Sequence, residues 1–197
     1  MIDKYGTGDD PACYGRTSVL KNLLNIEDEA LLDEAEREIS SINASEIEFS
    51  PPPYDLMYLQ ELHRTLFSDI YTWAGHIRSV DISKGETRFC SITRIAPEAK
   101  KLFSQLRTLN YFTELEREKL ICSLAELYGD MNIIHPFRDG NGRAQRILFE
   151  HIVINSGFEI SWNGIDREEW VNANIASVNC NYTPLRKIFD CCVGDEI

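Results

Sequence analysis

The residues best suited to chemistry lie in one run, His135-Pro136-Phe137-Arg138-Asp139-Gly140-Asn141-Gly142-Arg143, continued by Ala144-Gln145-Arg146. Apolar residues at helical spacing follow it, Ile147-Leu148-Phe149 and then Ile152-Val153-Ile154. This order predicts a loop that turns into a helix N-terminus at the glycines. The first N–H groups of a helix have no intrahelical acceptor and sit at the positive end of its dipole, so such an end attracts anions. Gly140 and Gly142 permit the positive-φ, Cβ-free backbone that a concave ring of N–H donors needs. Arg143 and Arg146 stand three residues apart on one helix face, where both guanidinium groups reach a polyphosphate. Asp139 offers a hard oxygen for the magnesium that accompanies nucleotide phosphates. His135 lies just outside the glycines, restricted to an extended backbone by Pro136. Its neutral imidazole can take a proton from a hydroxyl. Taken singly, each feature has a plain reading: a histidine before proline is usually structural, a G-x-G a turn, an arginine pair a solvated face. Together they make a phosphate cradle, a metal ligand and a base, which points to transfer chemistry on a nucleotide.

The surrounding elements must hold that run still. An amphipathic helix is predicted from about Glu27 to Ser41, with Leu31, Leu32, Ala35 and Ile39 as its apolar stripe and its acidic residues in water. Pro51-Pro52-Pro53 breaks the chain, and a second helix runs from Tyr54 to Phe67. His63 on it reads as structural. After Trp73-Ala74-Gly75 the period changes to two. Arg78, Val80 and Ile82 alternate with polar residues, and a second extended run spans Arg88 to Ile92 with Phe89, a β-hairpin turning over Ser83 to Thr87. Helices are predicted over Pro97 to Leu109 (Ala99, Leu102, Phe103 and Leu106 inward) and Glu114 to Ile133. The second of these, with Leu120, Ile121, Leu124, Leu127, Tyr128 and Met131 inward, runs directly into His135. The helix after the glycines ends near Ser156-Gly157, and its His151 reads as a surface or core residue. Two closing helices span Asp166 to Ala176 and Pro184 to Phe189.

Composition bounds the rest. A length of 197 residues fits one domain with a real core. A net charge of −12 argues against nucleic acid or anionic membrane as a partner, both of which would be repelled. Nucleotide binding must then rely on the local Arg143/Arg146 site. The six cysteines contain no C-x-x-C pair, and Cys122 falls in an apolar helical pattern expected in the core. The opening Met1-Ile2-Asp3-Lys4-Tyr5 has no apolar leader and no stretch approaches a membrane span, so the expected location is cytoplasmic. Tyr5 to Gly15 reads as an irregular entry segment.

His135 to Arg143 resembles the Fic signature, H-P-F-x-[D/E]-G-N-[G/K]-R, at every position, and Arg146 stands where that family has its second arginine. The resemblance implies an all-α, mainly helical Fic fold with a short β-hairpin flap beside the active site. It covers residues 1–197 as a single domain: 1–53 an N-terminal segment and helix, 54–190 the core, the flap at about 78–92 and the signature at 135–146. It further implies a protein adenylyltransferase that moves AMP from ATP, with Mg2+, onto a Ser, Thr or Tyr hydroxyl of a target protein. In that scheme His135 is the base, Asp139 holds the metal, and Gly140, Asn141 and Gly142 wrap the α- and β-phosphates. Arg143 grips the β-phosphate, Arg146 the γ-phosphate, and Phe137 anchors the loop in the core. The flap, with Val80, Asp81, Ile82 and Phe89, would pair with the target's extended segment by main-chain hydrogen bonds. Asn172, Asn174, Asn181 and Tyr182 are polar enough to line the adenine pocket, Asn174 and Tyr182 foremost.

Tyr5-Gly6, Asp10-Pro11, Tyr14, Asn22 to Ile26 and Tyr71-x-Trp73-Ala74-Gly75-x-x-Arg78-x-Val80-Asp81-Ile82 resemble small bacterial class I Fic toxins. Self-inhibiting relatives carry [S/T]-x-x-x-E-[G/N], but no glutamate here is followed by Gly or Asn. The resemblance therefore implies a small separate antitoxin that supplies the inhibitory glutamate in trans, pairing with Arg146. The tail residues Asp190, Asp195 and Glu196 are a less favoured source of that carboxylate. It also implies a target of the type II topoisomerase kind, a DNA gyrase B or topoisomerase IV ATPase subunit modified on tyrosine. Three alternatives stay open: transfer of another phosphate-linked group, nucleotide binding without turnover, and a helical interaction protein.

Overall fold

The computed structural model describes residues 12–15 and 17–197. The expected features at Tyr5, Gly6, Asp10 and Pro11 lie outside the described residues. Among those residues the protein is mainly helical, as expected, with two small antiparallel strand pairs.

Helix α1 (Glu29–Ser45) begins at Asp28, whose carboxylate accepts the Leu31 N–H at 2.9 Å. Its buried face is Leu32, Glu36 and Ser40, at i, i+4 and i+8, while Leu31 is 52% exposed. The expected stripe is thus rotated, and one acidic residue expected in water is in the core. Helix α2 (Leu56–Phe67), capped by Asp55, turns Leu59, Leu62, His63, Leu66 and Phe67 inward. The hairpin is shorter than expected: β1 (Ser83–Lys84) pairs with β2 (Thr87–Arg88), Ser83 opposite Arg88 and Lys84 opposite Thr87. Beyond a Phe89 N–H to Ile82 carbonyl bond at 3.2 Å, Arg78 to Ile82 make no ladder, and the Arg78 side chain occupies the Val80 and Cys90 carbonyls instead.

Helix α3 (Ile92–Thr108) begins one turn or more before the expected Pro97, which lies inside it. The Ile92 N–H donates to the Asp81 carboxylate at 2.8 Å, so a flap residue caps this helix from outside. Helix α4 (Arg117–Ile134) buries all six expected inward residues, whereas Cys122 is only half-buried. Helix α5 (Asn141–Asn155) is buried or half-buried at every position, with Ala144, Leu148, Phe149, Ile152 and Val153 inaccessible. Such a helix belongs at the centre of the molecule, and α2, α4 and β3 (Phe158–Ile160) pack around it. Helices α6 (Arg167–Val178) and α7 (Thr183–Cys192) close the core against α4. The tail forms β4 (Val193–Glu196), antiparallel to β3, which period and composition had not indicated. It ties Asp195 and Glu196 into a strand pair, and Asp190 pairs with Arg117 at 2.7 Å. None of these three acids lines the cleft around Arg146.

Candidate active site

Helix α4 delivers His135 to the end of its last turn. His135 caps α4 in the left-handed region (φ 46°, ψ 63°), its N–H donating to the Met131 carbonyl. This corrects the extended backbone expected from Pro136. The helix C-terminus and three neighbours outweigh that local preference. Arg78 Nε donates to the His135 carbonyl at 2.8 Å, the Phe89 ring stacks on the imidazole at 3.8 Å, and Nδ1 lies 3.1 Å from the Asn132 carbonyl. A carbonyl can only accept, so Nδ1 carries the proton and Nε2 holds the free lone pair. Burial pushes the imidazole down to about 4, with Arg78 and Lys84 acting the same way and the Asn132 carbonyl and Asp139 opposing. At neutral pH the ring is a neutral base.

The loop from Pro136 to Gly140 is held mostly by its own signature residues. Phe137 is fully buried and stacks on His63 at 3.9 Å. The Asn141 side chain accepts from the Phe137 N–H and donates to the Phe137 carbonyl, both at 2.8 Å. Asn141 therefore shapes the loop with its amide, leaving its main chain for a ligand. His63 bridges two segments: Nδ1 accepts the Gly75 N–H and Nε2 donates to the Asp139 carbonyl, both at 2.9 Å. Its structural reading holds, and its place is directly behind the loop. Gly140 is left-handed (φ 74°), and a Cβ there would stand 2.4 Å from the Phe67 ring. Around Gly142 a Cβ would meet nothing within 4 Å. No side chain caps α5, and while the Arg143 and Ala144 N–H groups donate to the Gly140 carbonyl, those of Asn141 and Gly142 have no acceptor among the described residues.

The charged residues divide. The Asp139 carboxylate, half-buried, accepts the Gly140 N–H at 2.7 Å. Among the described residues, no group of three or more His, Cys, Asp or Glu could hold a metal. A magnesium ion on Asp139 fits only if phosphate oxygens supply other ligands, the usual arrangement with nucleotides. Arg143 turns toward α1 and pairs with Glu36. Arg146 has no hydrogen bond or ion pair among the described residues and lines a cleft of roughly 260 Å3 with Arg37, Ser40, Ser41 and Arg143. Sequence reasoning missed Glu36, although its i, i+4 relation to Leu32 and Ser40 was there to read.

The flap residues sit on both sides of the hairpin root. Ile82 and Phe89 are buried, with Val80 packed against them, and Asp81 caps α3. Tyr182 lines a cavity of roughly 310 Å3 with Cys90, Ile134, Ser177 and Cys180, its hydroxyl donating to Asp130 at 2.6 Å. Asn174 does not line that cavity, and its amide donates to the Trp170 carbonyl on its own helix. Asn172 and Asn181 are exposed.

Comparisons with known proteins agree with this geometry. The chain is 39% identical over 195 residues to a protein of Escherichia coli K12 named probable protein adenylyltransferase Fic, covering 99% of this chain and 98% of that protein. It is 32% identical to the protein adenylyltransferase VbhT of Bartonella schoenbuchensis, across 88% of this chain and 37% of that protein. Among solved structures, the BepC effector of Bartonella tribocorum with bound AMPPNP matches at a TM-score of 0.87 and 26% identity. That match covers 94% of this chain and 97% of the other. The N-terminal Fic domain of a Bartonella quintana effector with bound ADP matches at 0.86 and 27%, over 94% and 95%. Residues 53–153 match the family model of the Fic/DOC family, which contains both the flap and the signature. On sequence, fold and signature together, the chain belongs to the Fic/DOC family.

Proposed function

We propose that this chain is a protein adenylyltransferase, moving AMP from ATP to a hydroxyl on a target protein. The observation that carries the reading is the neutral His135, with its Nε2 lone pair free, beside the uncapped N-terminus of α5. Relatives named adenylyltransferases and neighbours with bound AMPPNP and ADP support it. The hydroxyl proton passes to Nε2 as its oxygen attacks the α-phosphorus, and the bond to the bridging oxygen of pyrophosphate breaks. The N–H groups of Asn141 and Gly142, with Arg143 and Arg146, take up the charge on the departing pyrophosphate. Asp139 would hold magnesium, which supplies charge neutralisation on the phosphates when bound.

The finer assignments belong to the same proposal. The two-residue strands of the flap leave a short edge for the target segment, and Val80, Ile82 and Phe89 stiffen its root. The cavity beside Tyr182 is the place for the adenine base, with Ser177 of α6 in its wall and Asn174 one turn earlier on that helix, outside the lining. Arg146, unpaired among the described residues in an open cleft, is suited to the γ-phosphate or to a glutamate from a separate antitoxin. A gyrase B or topoisomerase IV ATPase subunit is the first target to try, in keeping with the resemblance to class I toxins.

The test is intact-mass spectrometry of gyrase B after incubation with this protein, Mg2+ and ATP, followed by labelled ATP in bacterial lysate. A gain of roughly 329 Da, the adenylyl mass, is expected. His135→Ala should abolish the gain while ATP binding stays near that of the parent. A gain equal to a phosphate, or labelling by His135→Ala, would overturn the scheme.

A further inference from the structure

Glu36 and Arg143 form an ion pair between α1 and α5, and the contacts around it are more numerous than charge compensation requires. Arg143 Nη2 donates to Glu36 Oε1. Nη1 donates to Ser40 Oγ at 2.9 Å and to the Glu36 carbonyl at 3.3 Å. The Phe67 ring lies against the guanidinium, 4.6 Å from its centre. The second oxygen of Glu36 is taken as well: Tyr71 donates its hydroxyl to Oε2, and the Tyr71 ring stacks on Trp73 at 4.3 Å. Among the described residues these contacts leave the Nε–H of Arg143 without an acceptor. The Arg143 side chain keeps 27% of its exposure, against 9% for Glu36.

Two roles compete for such a pair. A latch would hold Arg143 away from a nucleotide, and a carboxylate alone would serve. A socket would hold the guanidinium ready, and needs its plane fixed as well as its charge met. Ser40, the Glu36 carbonyl and the Phe67 ring fix the plane, and the open Nε–H leaves a donor for a ligand. Arginine loses much side-chain freedom when it is ordered, so ordering it before binding strengthens the bond that follows. We propose that Glu36 is a positioning residue which, with Ser40 and Tyr71, preorganises Arg143 to grip a nucleotide β-phosphate. This rests on Arg143 being a phosphate contact, and the experiment separates the two claims.

Calorimetric titration with Mg-ADP and Mg-AMP reads the β-phosphate contact directly, since AMP lacks that group. Arg143→Ala should weaken ADP at least about tenfold, the scale of one charge-assisted hydrogen bond, and leave AMP within about threefold. Glu36→Ala and Ser40→Ala should weaken ADP in the same selective way. Glu36→Gln keeps an oxygen for Arg143 and turns its amide toward the Tyr71 oxygen, so it should restore most of the ADP affinity. If Arg143→Ala binds ADP like the parent, the phosphate role of Arg143 fails. If Arg143→Ala loses ADP while Glu36→Ala binds it equally well or more tightly, Glu36 is neutral or a latch and the socket is wrong. Equal losses for ADP and AMP, or no rescue by Glu36→Gln, would also overturn it. Should Glu36→Ala not fold, an unchanged ADP affinity in Ser40→Ala is enough to reject the proposal.

Discussion

At the scale of single residues, the signature divides into groups left free for the proposed chemistry and groups that hold the loop. His135 Nε2 and the N–H groups of Asn141 and Gly142 are left without a partner among the described residues, whereas the Phe137 ring and the Asn141 amide hold the loop from within. The two glycines separate the roles. Gly140 is needed for packing, because a Cβ there would overlap Phe67 and the left-handed φ adds strain. Gly140→Ala should lower stability by about 1–3 kcal/mol, read as a shift of the urea midpoint. Gly142 is helical with open space beside it. Gly142→Ala should fold at least as stably as the parent, since alanine favours a helix by about 1 kcal/mol, yet bind ATP more weakly. Full ATP affinity in that variant would place the phosphates elsewhere.

At the scale of elements, the flap and the signature loop are one unit. Arg78 has no accessible side-chain surface. Its Nε reaches the His135 carbonyl, Nη1 the Val80 carbonyl at 2.7 Å, and Nη2 the Cys90 carbonyl. Its own N–H donates to the Pro136 carbonyl at 2.9 Å. A two-stranded ribbon of two residues a side has no independent stability, so its root must be fixed by such links. Arg78→Lys strands at least one buried carbonyl, at about 1–3 kcal/mol each. Expected outcomes are a loss of that size in urea unfolding and faster amide exchange through the flap. A variant with unchanged flap exchange would show that the strands hold themselves.

At the scale of the whole molecule, the histidines couple the site to global stability. Burial pushes His63 down to about 4, while the Asp139 carbonyl and carboxylate pull the other way. In the unfolded chain it titrates near 6.5, so the unfolded state binds the proton more readily. Its contribution is full above about pH 6.5 and is lost as pH falls toward about 4. Unfolding free energy should therefore drop between pH 7 and pH 4.5, by up to roughly 2 kcal/mol for His63 alone. His63→Gln should show a shallower fall. Equal slopes for parent and variant would mean that other groups carry the pH dependence.

Residue types and spacing determined the proposed chemistry: a histidine, a carboxylate, two glycines around an asparagine and two arginines are adjacent in the chain, so reading them together needed no tertiary information. The helices were legible too, because α2 and α3 carry strong apolar periodicity, and α4 and α5 carry long apolar runs on either side of the signature. The flap was legible as a place but not in length, since Arg78 competes with a ladder from a position that period-two patterning cannot weigh. Only the tertiary structure decided which face of α1 is buried. Its Leu31, Leu32 and Ile39 suggested one stripe, but Arg143 of α5 required a carboxylate and drew Glu36 inward. The same holds for the left-handed His135 and for His63 behind Asp139. In each case the deciding partner lies far along the chain, and local propensity carries no record of it.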